Sequence, residues 1–219
     1  SPIKNEIVSL LRKYGGKADR YDKNGKKVGE GKGDLNDLRI ACKKGDLEEV
    51  KALISDGHGH LIGPSDCLRA AIENEQSEIA QYLVKTCKAD GSGGPLVVAC
   101  EKGDFDSVKA LVEGHDVEKT GMSVDEMVSK VGWNSDYNSR TPLQSAAEKE
   151  QLEIVQYLVK SCPTVDLIGQ TNSYDGYNSL HFAAGDSKKN VQMLQWLIDN
   201  YNGNIKEIIN HQTKYGRTP

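Results

Sequence analysis

The sequence is poor in aromatic residues and has no long apolar run. Aromatic residues make up 6% of the 219 residues, and phenylalanine occurs only twice, so leucine, isoleucine, valine and alanine must fill any core. No stretch approaches the roughly 18 uncharged apolar residues that a membrane-spanning helix needs, so we expect no membrane insertion. The first residues, SPIKNEIVSLLRKYGG, carry charges inside their apolar run, unlike a secretory signal.

Paired cysteines and a dominant charge are also lacking. The five cysteines are an odd number and form no CxxC pair, which favours free thiols in a reducing compartment. We therefore expect an intracellular, cytoplasmic protein. The net charge is −4, although residues 1–33 hold nine basic and four acidic side chains. The chain as a whole is thus a poor candidate for binding nucleic acid.

The sequence shows no pattern typical of an active site or a metal centre. His58 and His60 lack nearby cysteine or carboxylate groups at metal-ligand spacing. Residues 22–25 are similar to part of a calcium loop, but Arg20 and Gly31 stand where acidic ligands are required. No nucleophile, base and orienting group can be placed together. We therefore expect a protein that is not an enzyme and that uses no metal or cofactor.

Internal repeats are the dominant feature that is present. LRIACKKGDLEEVKALI, from Leu38, aligns without a gap with LVVACEKGDFDSVKALV, from Leu96. LRAAIENEQSEIAQYLVKTC, from Leu68, aligns in the same way with LQSAAEKEQLEIVQYLVKSC, from Leu143. A fifth copy starts at Leu180 and has about two extra residues between its halves. Self-similarity on this scale predicts a solenoid.

Each copy divides into two helical halves. Leu38, Ala41 and Cys42 recur at i, i+3 and i+4, which is one face of a helix. Between the halves, Gly45 is suited to end a helix and Asp46 to cap the next one. Neither helix can bury its apolar stripe alone, so we expect copies to stack side by side around a continuous core.

The openings of the copies indicate a family. RTPLQSAA at residues 140–147 and NSLHFAA at residues 178–184 resemble the ankyrin repeat, in which Thr-Pro-Leu-His opens the first helix. The hydroxyl of Thr141 can cap that helix, and Pro142 fits its first turn. The resemblance covers nearly the whole chain. It implies an all-α ankyrin-repeat solenoid of stacked helix pairs with hairpin or finger loops, which binds protein partners noncovalently.

The repeat boundaries predict the domain organisation. Residues 1–35 are expected to form a leading half repeat and a connector rich in Gly and Lys, which is flexible or a hairpin. Residues 36–213 are expected to hold five repeats with an insertion at residues 114–139, and residues 214–219 the start of a further repeat. In the insertion, a capping box that starts at Ser123 predicts a short helix folded back over the array.

The resemblance implies that the partner contacts the concave face and the finger loops. Loop aromatics offer a large contact area with few torsions to freeze; the alternative is that they pack between adjacent fingers. The expected contacts are Tyr21, Trp133, Tyr137, Tyr174, Tyr177 and Tyr215. The first-helix positions expected to line the concave side are Arg39, Lys43, Arg69, Glu73, Val97, Glu101, Gln144, Glu148 and His181, with Arg39 and Arg69 as partner contacts. Their mixed charge predicts no strongly charged partner.

A structural role is the second hypothesis. Residues 2–14 have the pattern of a second helix without its first helix. Ile3, Ile7 and Leu10 should then stay under-covered, and exposed repeat faces favour association. The two ends of an array are different surfaces, so their contact is head-to-tail and extends as a rod or filament. A third hypothesis, an effector with an enzymatic domain elsewhere, leaves this chain as its binding module.

Overall fold

The computed structural model describes residues 20–21, 27–28, 33–55, 64–87, 89, 94–131, 140–185 and 191–219. An antiparallel hairpin joins β1 (Arg20–Tyr21) to β2 (Lys27–Val28), with Arg20 opposite Val28. It lies in the segment predicted as a connector. The expected leading helix, with Ile3, Ile7 and Leu10, falls outside the described residues.

Helices make up most of the described chain. Five helix pairs are present in these parts: α1 (Gly33–Lys44) with α2 (Leu47–Ser55), α3 (Pro64–Glu73) with α4 (Ser77–Cys87), α5 (Gly94–Lys102) with α6 (Phe105–Glu113), α9 (Pro142–Glu148) with α10 (Leu152–Ser161), and α11 (Ser179–Ala184) with α12 (Val191–Asp199). The insertion contains α7 (Val117–Thr120) and α8 (Val124–Ser129), and α13 (Ile205–Ile209) follows the fifth pair.

The pairs stack in chain order as two layers of helices. In the first layer, α1 contacts α3, α3 contacts α5, α5 contacts α9, and α9 contacts α11. In the second layer, α2 contacts α4, α4 contacts α6, and α6 contacts α10. Both helices of a pair also contact each other. This arrangement confirms the predicted all-α solenoid.

The core runs between the two layers and is filled by small and aliphatic side chains. The leucine that opens each copy is at most 1% exposed; these residues are Leu38, Leu68, Leu96, Leu143 and Leu180. The alanine three positions later is buried in every copy, which lets adjacent helices approach closely; these residues are Ala41, Ala71, Ala99, Ala146 and Ala183. The repeat alignment therefore identifies the core correctly.

Tight turns join the two helices of a pair. Gly45 has φ +78° and Gly103 has φ +71°, the left-handed conformation that glycine adopts readily. Next to Gly103, the Asp104 carboxylate accepts the backbone N–H of Ser107 at 3.0 Å and caps α6. These two turns confirm the predicted stop and start signals. In the second and fourth pairs the same left-handed place is taken by Glu75 and Glu150, both at φ 60°.

Two kinds of junction alternate along the first four pairs. The Gln76 side chain lies against Gly45, and the Gln151 side chain lies against Gly103, where an added Cβ would be 2.6 Å from Gln151 Nε2. A glycine turn therefore accommodates the glutamine of the following pair. The junction between the second and third pairs is different, because Ser77 Oγ donates to the Asp104 carboxylate at 2.8 Å.

The insertion after α6 packs onto the array. The predicted capping box is present: the Ser123 backbone N–H donates to Glu126 Oε2 at 2.8 Å, and the Glu126 backbone N–H donates to Ser123 Oγ at 3.1 Å. Met127 and Val128 of α8 are fully buried, and α8 contacts α9. The prediction that this short helix folds back over the repeats is confirmed.

Candidate functional site

The predicted partner contacts on loops differ in exposure. Tyr174 is 54% exposed and Tyr215 is 67% exposed, whereas Tyr177 is half-buried. Tyr21 lies in β1, and Trp133 and Tyr137 lie outside the described residues. Tyr174 and Tyr215 are therefore available to a partner without any rearrangement.

The predicted contacts on the first helices have different surroundings. Arg39 of α1 is exposed. Arg69 of α3 is half-buried, and its Nε lies 2.6 Å from the Glu73 carboxylate one turn later. Because the two charges pair on one helix face, they contribute little net charge to this part of the α3 surface.

Three of the nine residues predicted to line the concave side are buried. Val97, Gln144 and His181 are at most 3% exposed, so the prediction is wrong for them. Val97 is enclosed because α5 packs between α3 and α9. Gln144 and His181 are enclosed because each side chain turns toward the loop that follows its own helix pair.

Gln144 caps one helix and holds the next loop. Its Oε1 accepts the backbone N–H of Thr141 at 3.1 Å, and its own backbone N–H donates to Thr141 Oγ1 at 3.2 Å, which completes a capping box on α9. Its Nε2 donates to the carbonyl oxygens of Gln170, at 2.8 Å, and Tyr177, at 3.3 Å. One amide therefore ties the fourth helix pair to the loop that precedes the fifth.

His181 repeats this arrangement one helix pair later. Its Nε2 lies 3.1 Å from the Arg217 carbonyl oxygen, and a carbonyl only accepts, so Nε2 carries the proton. Burial lowers the pKa of His181, which keeps the ring neutral and leaves Nδ1 to accept the Asn178 backbone N–H at 3.3 Å. The loop-to-loop hydrogen bonding that the resemblance implies for His181 is thus present.

Backbone hydrogen bonds shape the two loops that carry the exposed tyrosines. Asn172 Oδ1 accepts the backbone N–H groups of Gly176, at 2.9 Å, and Tyr177, at 3.0 Å. In the next loop, the Lys214 backbone N–H donates to the Asp175 carbonyl oxygen at 2.9 Å. The loop at residues 211–217 therefore rests on the loop at residues 172–177, and both loops have a fixed shape.

A row of arginine and aromatic side chains crosses the bases of these loops. The Arg140 guanidinium lies 5.0 Å from the centre of the Phe182 ring, and the Phe182 and Tyr177 rings are 5.5 Å apart. Arg217 Nη1 donates to the Tyr177 hydroxyl at 3.1 Å, and Arg140 also forms an ion pair with Glu148. We call Arg140, Phe182, Tyr177 and Arg217 the arginine–aromatic row.

Sequence reasoning found only Tyr177 in this row. A signal was available, because Arg140 and Tyr177 each stand three residues before a repeat leucine. Arg217 precedes Thr218-Pro219 just as Arg140 precedes Thr141-Pro142. Aligning the loops as well as the helices would have placed the three side chains at one repeated position.

Most of the cysteines lie in the hydrophobic core. All five thiols are free, and four of them are buried. The hydrogen bond with Cys67, together with burial, raises the pKa of Cys42. Burial and the nearby Asp125 raise the pKa of Cys162 to about 12. These two thiols therefore stay protonated at neutral pH. In the described residues, no three His, Cys, Asp or Glu side chains are grouped as metal ligands.

Comparison with known families agrees with the repeats. A family model described as ankyrin repeats in three copies matches residues 38–121, 68–168 and 121–209. The chain belongs to the ankyrin repeat family. Ankyrin repeats are generally protein–protein interaction modules and are typically not catalytic. A search of curated proteins finds no match to the chain. In the described part of this ankyrin array, no helix is both long and apolar enough to cross a membrane.

Proposed function

We propose that this ankyrin array is a non-enzymatic scaffold that binds a protein partner through its concave face and finger loops. The observation that supports the proposal is the arginine–aromatic row, flanked by the exposed side chains of Tyr174 and Tyr215. Tyrosine and arginine are enriched among the residues that contribute most to protein interfaces.

The fixed shape of the loops supports the same proposal. The hydrogen bonds of Asn172 and Lys214 hold the loop backbones before any partner binds. A preformed surface loses less conformational freedom on association, so more of the contact energy appears as affinity. Glu148 neutralises Arg140, whereas Arg217 is exposed. The partner surface should therefore be largely apolar and hydrogen-bonding, with an acceptor opposite Arg217.

The test is a double replacement, Tyr174→Ala with Tyr215→Ala. Both side chains are exposed, so circular dichroism should remain that of the parent chain. The affinity for a partner isolated on the immobilised parent should fall about tenfold or more, as measured by titration calorimetry. Val191→Ala is the matched control, because Val191 is 65% exposed at the start of α12 and belongs to neither loop. Unchanged affinity in the double variant would contradict the proposed surface.

We also propose that Trp133 and Tyr137, two residues of the insertion, contact the partner. The Trp133→Ala and Tyr137→Ala double variant should keep its helicity and bind the same partner more weakly. Loss of folding would show instead that these two side chains belong to the core.

A further inference from the structure

Two buried thiols meet where the first helix pair packs against the second. Cys42 lies in α1 and Cys67 in α3, and these two first helices are in extensive contact. Cys42 is fully buried and Cys67 is 2% exposed. Their side chains share a hydrogen bond, so the two sulfur atoms are neighbours across the interface between the pairs.

Among the five pairs, the two thiols are particular to this first junction. Cys42 stands four residues after Leu38, and Cys67 stands immediately before Leu68. In the three later junctions the same two positions hold Ile72 with Pro95, Cys100 with Pro142, and Ala147 with Ser179. Helix pairs therefore stack without a cysteine at either position, and stacking alone does not explain why both are cysteine here.

The two thiols differ in acidity. The hydrogen bond from Cys42 is the main cause that lowers the pKa of Cys67, and the Arg39 guanidinium lowers it further, while burial and Asp66 oppose the shift. The same hydrogen bond and burial raise the pKa of Cys42. Cys67 is therefore the thiol that ionises, with Cys42 donating its S–H to the thiolate. A thiolate, and not a thiol, is the nucleophile in cysteine oxidation.

We propose that Cys42 and Cys67 form a redox-modification site, at which hydrogen peroxide converts the two thiols into a reversible disulfide between α1 and α3. This site lies in the core and is separate from the partner surface on the finger loops. Burial selects the oxidant. Peroxide is small enough to reach the sulfur atoms when the helices open locally, whereas a disulfide of the size of oxidised glutathione is not.

The reaction has two steps. The Cys67 thiolate attacks one oxygen of hydrogen peroxide, so that an S–O bond forms, the O–O bond breaks and hydroxide leaves, which gives a sulfenic acid. The hydroxide combines with the proton that Cys67 released on ionising. The Cys42 sulfur then attacks the Cys67 sulfur; the S–S bond forms, the S–O bond breaks, and the departing hydroxide takes up the Cys42 proton. The two thiols thus lose two electrons and two protons, and one peroxide becomes two waters.

The disulfide joins the first two helix pairs covalently. A bond between residues 42 and 67 closes a loop in the unfolded chain and so restricts its conformations. Because successive pairs of an array contribute separately to stability, the effect is greatest on the two pairs that the bond joins. Oxidation should therefore raise the Tm, and reduction by a thiol should reverse the change.

Peptide mapping of the oxidised protein tests the bond directly. The folded chain is treated with hydrogen peroxide, its remaining thiols are alkylated, and trypsin releases residues 40–43, which contain Cys42, and residues 52–69, which contain Cys67. Mass spectrometry should show these two peptides joined, and dithiothreitol should separate them. The oxidised chain should also melt about 4 °C or more above the reduced chain. Absence of the joined peptide, or a Tm that does not rise when it forms, would overturn the proposal.

Substitutions taken from another junction remove one thiol and keep the packing. Cys42→Ala copies Ala147, and Cys67→Ser copies Ser179, so circular dichroism should remain that of the parent chain. Neither variant should form the joined peptide or gain Tm on oxidation. Dimedone, which reacts with sulfenic acids, should label Cys67 in Cys42→Ala and leave Cys42 unlabelled in Cys67→Ser. Equal labelling of the two residues would contradict the role of Cys67 as the nucleophile.

Cys100 and Cys87 provide the remaining controls. Cys100 is buried at the position that corresponds to Cys42, so Cys100→Ala should leave the joined peptide and its gain in Tm unchanged. Cys87 is partly exposed and lies close enough to Cys42 to act on it electrostatically, which makes it the rival partner. Cys87→Ser should likewise retain the bond between Cys42 and Cys67. A disulfide to Cys87 in the parent chain, or loss of the bond in Cys87→Ser, would overturn the assignment.

Discussion

Gln144 and His181 show how two different side chains perform one task. Each caps its own helix and donates a hydrogen bond to the next loop. Both are almost completely buried, so an unpaired polar atom at either place would be costly. They differ in one respect, because only the imidazole titrates near neutral pH.

The difference predicts the effect of His181→Gln. Burial is the main cause of the lowered pKa of His181; His211 lowers it further, while Asp175 and the carbonyl partners oppose the shift. A folded-state pKa below the unfolded value means that the unfolded chain binds the proton more readily. The contribution of His181 to stability is therefore complete above about pH 6.5 and decreases as the pH falls below it.

The glutamine variant should retain both hydrogen bonds and lose this part of the pH dependence. Urea unfolding at pH 7.5 and pH 5.5 measures it: the difference between the two midpoints should be smaller in His181→Gln than in the parent chain. His115→Gln, at a half-buried histidine outside this junction, is the control and should keep the parent difference. An unchanged difference in His181→Gln would show that another group carries the pH dependence.

At the scale of helices and turns, the sequence predicted the features that depend on residues close together in the chain. The apolar spacing, the Gly-Asp turns and the Ser123 capping box were all visible in the sequence. The short helices α7 and α13 were not predicted. Although Asn204 caps α13 by accepting the Lys206 backbone N–H at 3.1 Å, five residues form a stable helix only when packed, here through buried Ile208. The burial of Gln144 likewise depends on a loop 26 residues away.

The left-handed turns predict a stabilising substitution, Glu150→Gly. A non-glycine residue in this left-handed conformation destabilises the folded chain by about 1–2 kcal/mol. Glycine avoids this strain, but it loses about 0.5–1 kcal/mol more backbone entropy on folding. We expect a net gain in the free energy of unfolding of about 0.5–1 kcal/mol, measured by urea titration. The reverse control, Gly103→Ala, combines φ +71° with a Cβ close to Gln151 and should destabilise the chain. A lower urea midpoint for Glu150→Gly would contradict the argument.

At the scale of the whole molecule, stability comes from each helix pair and from the interfaces between successive pairs. Among the described helices, the extensive contacts of each pair are with its neighbours, so the free energy of unfolding is approximately a sum of pair and interface contributions. A pair with two covered faces is held on both sides. The fifth pair is held mainly through the fourth and through the loop at residues 211–217.

This distribution predicts uneven hydrogen exchange. Backbone amides of α12 should exchange faster than those of α6, although Met193 and Leu197 of α12 are fully buried, because opening the last pair breaks fewer contacts. Exchange followed by mass spectrometry at neutral pH compares the two helices directly. Equal protection of α12 and α6 would mean that the array opens only as a single unit.

The alternation of turns limits how such a chain can change in length over evolutionary time. Gly45 and Gly103 each leave room for the glutamine of the following pair, while the Ser77–Asp104 hydrogen bond belongs to the junction between them. Deleting the second or the third pair would bring together two turns of the same kind, and deleting the third would leave Gln151 without its glycine. A gene duplication or loss that preserves both kinds of junction therefore involves two helix pairs at a time.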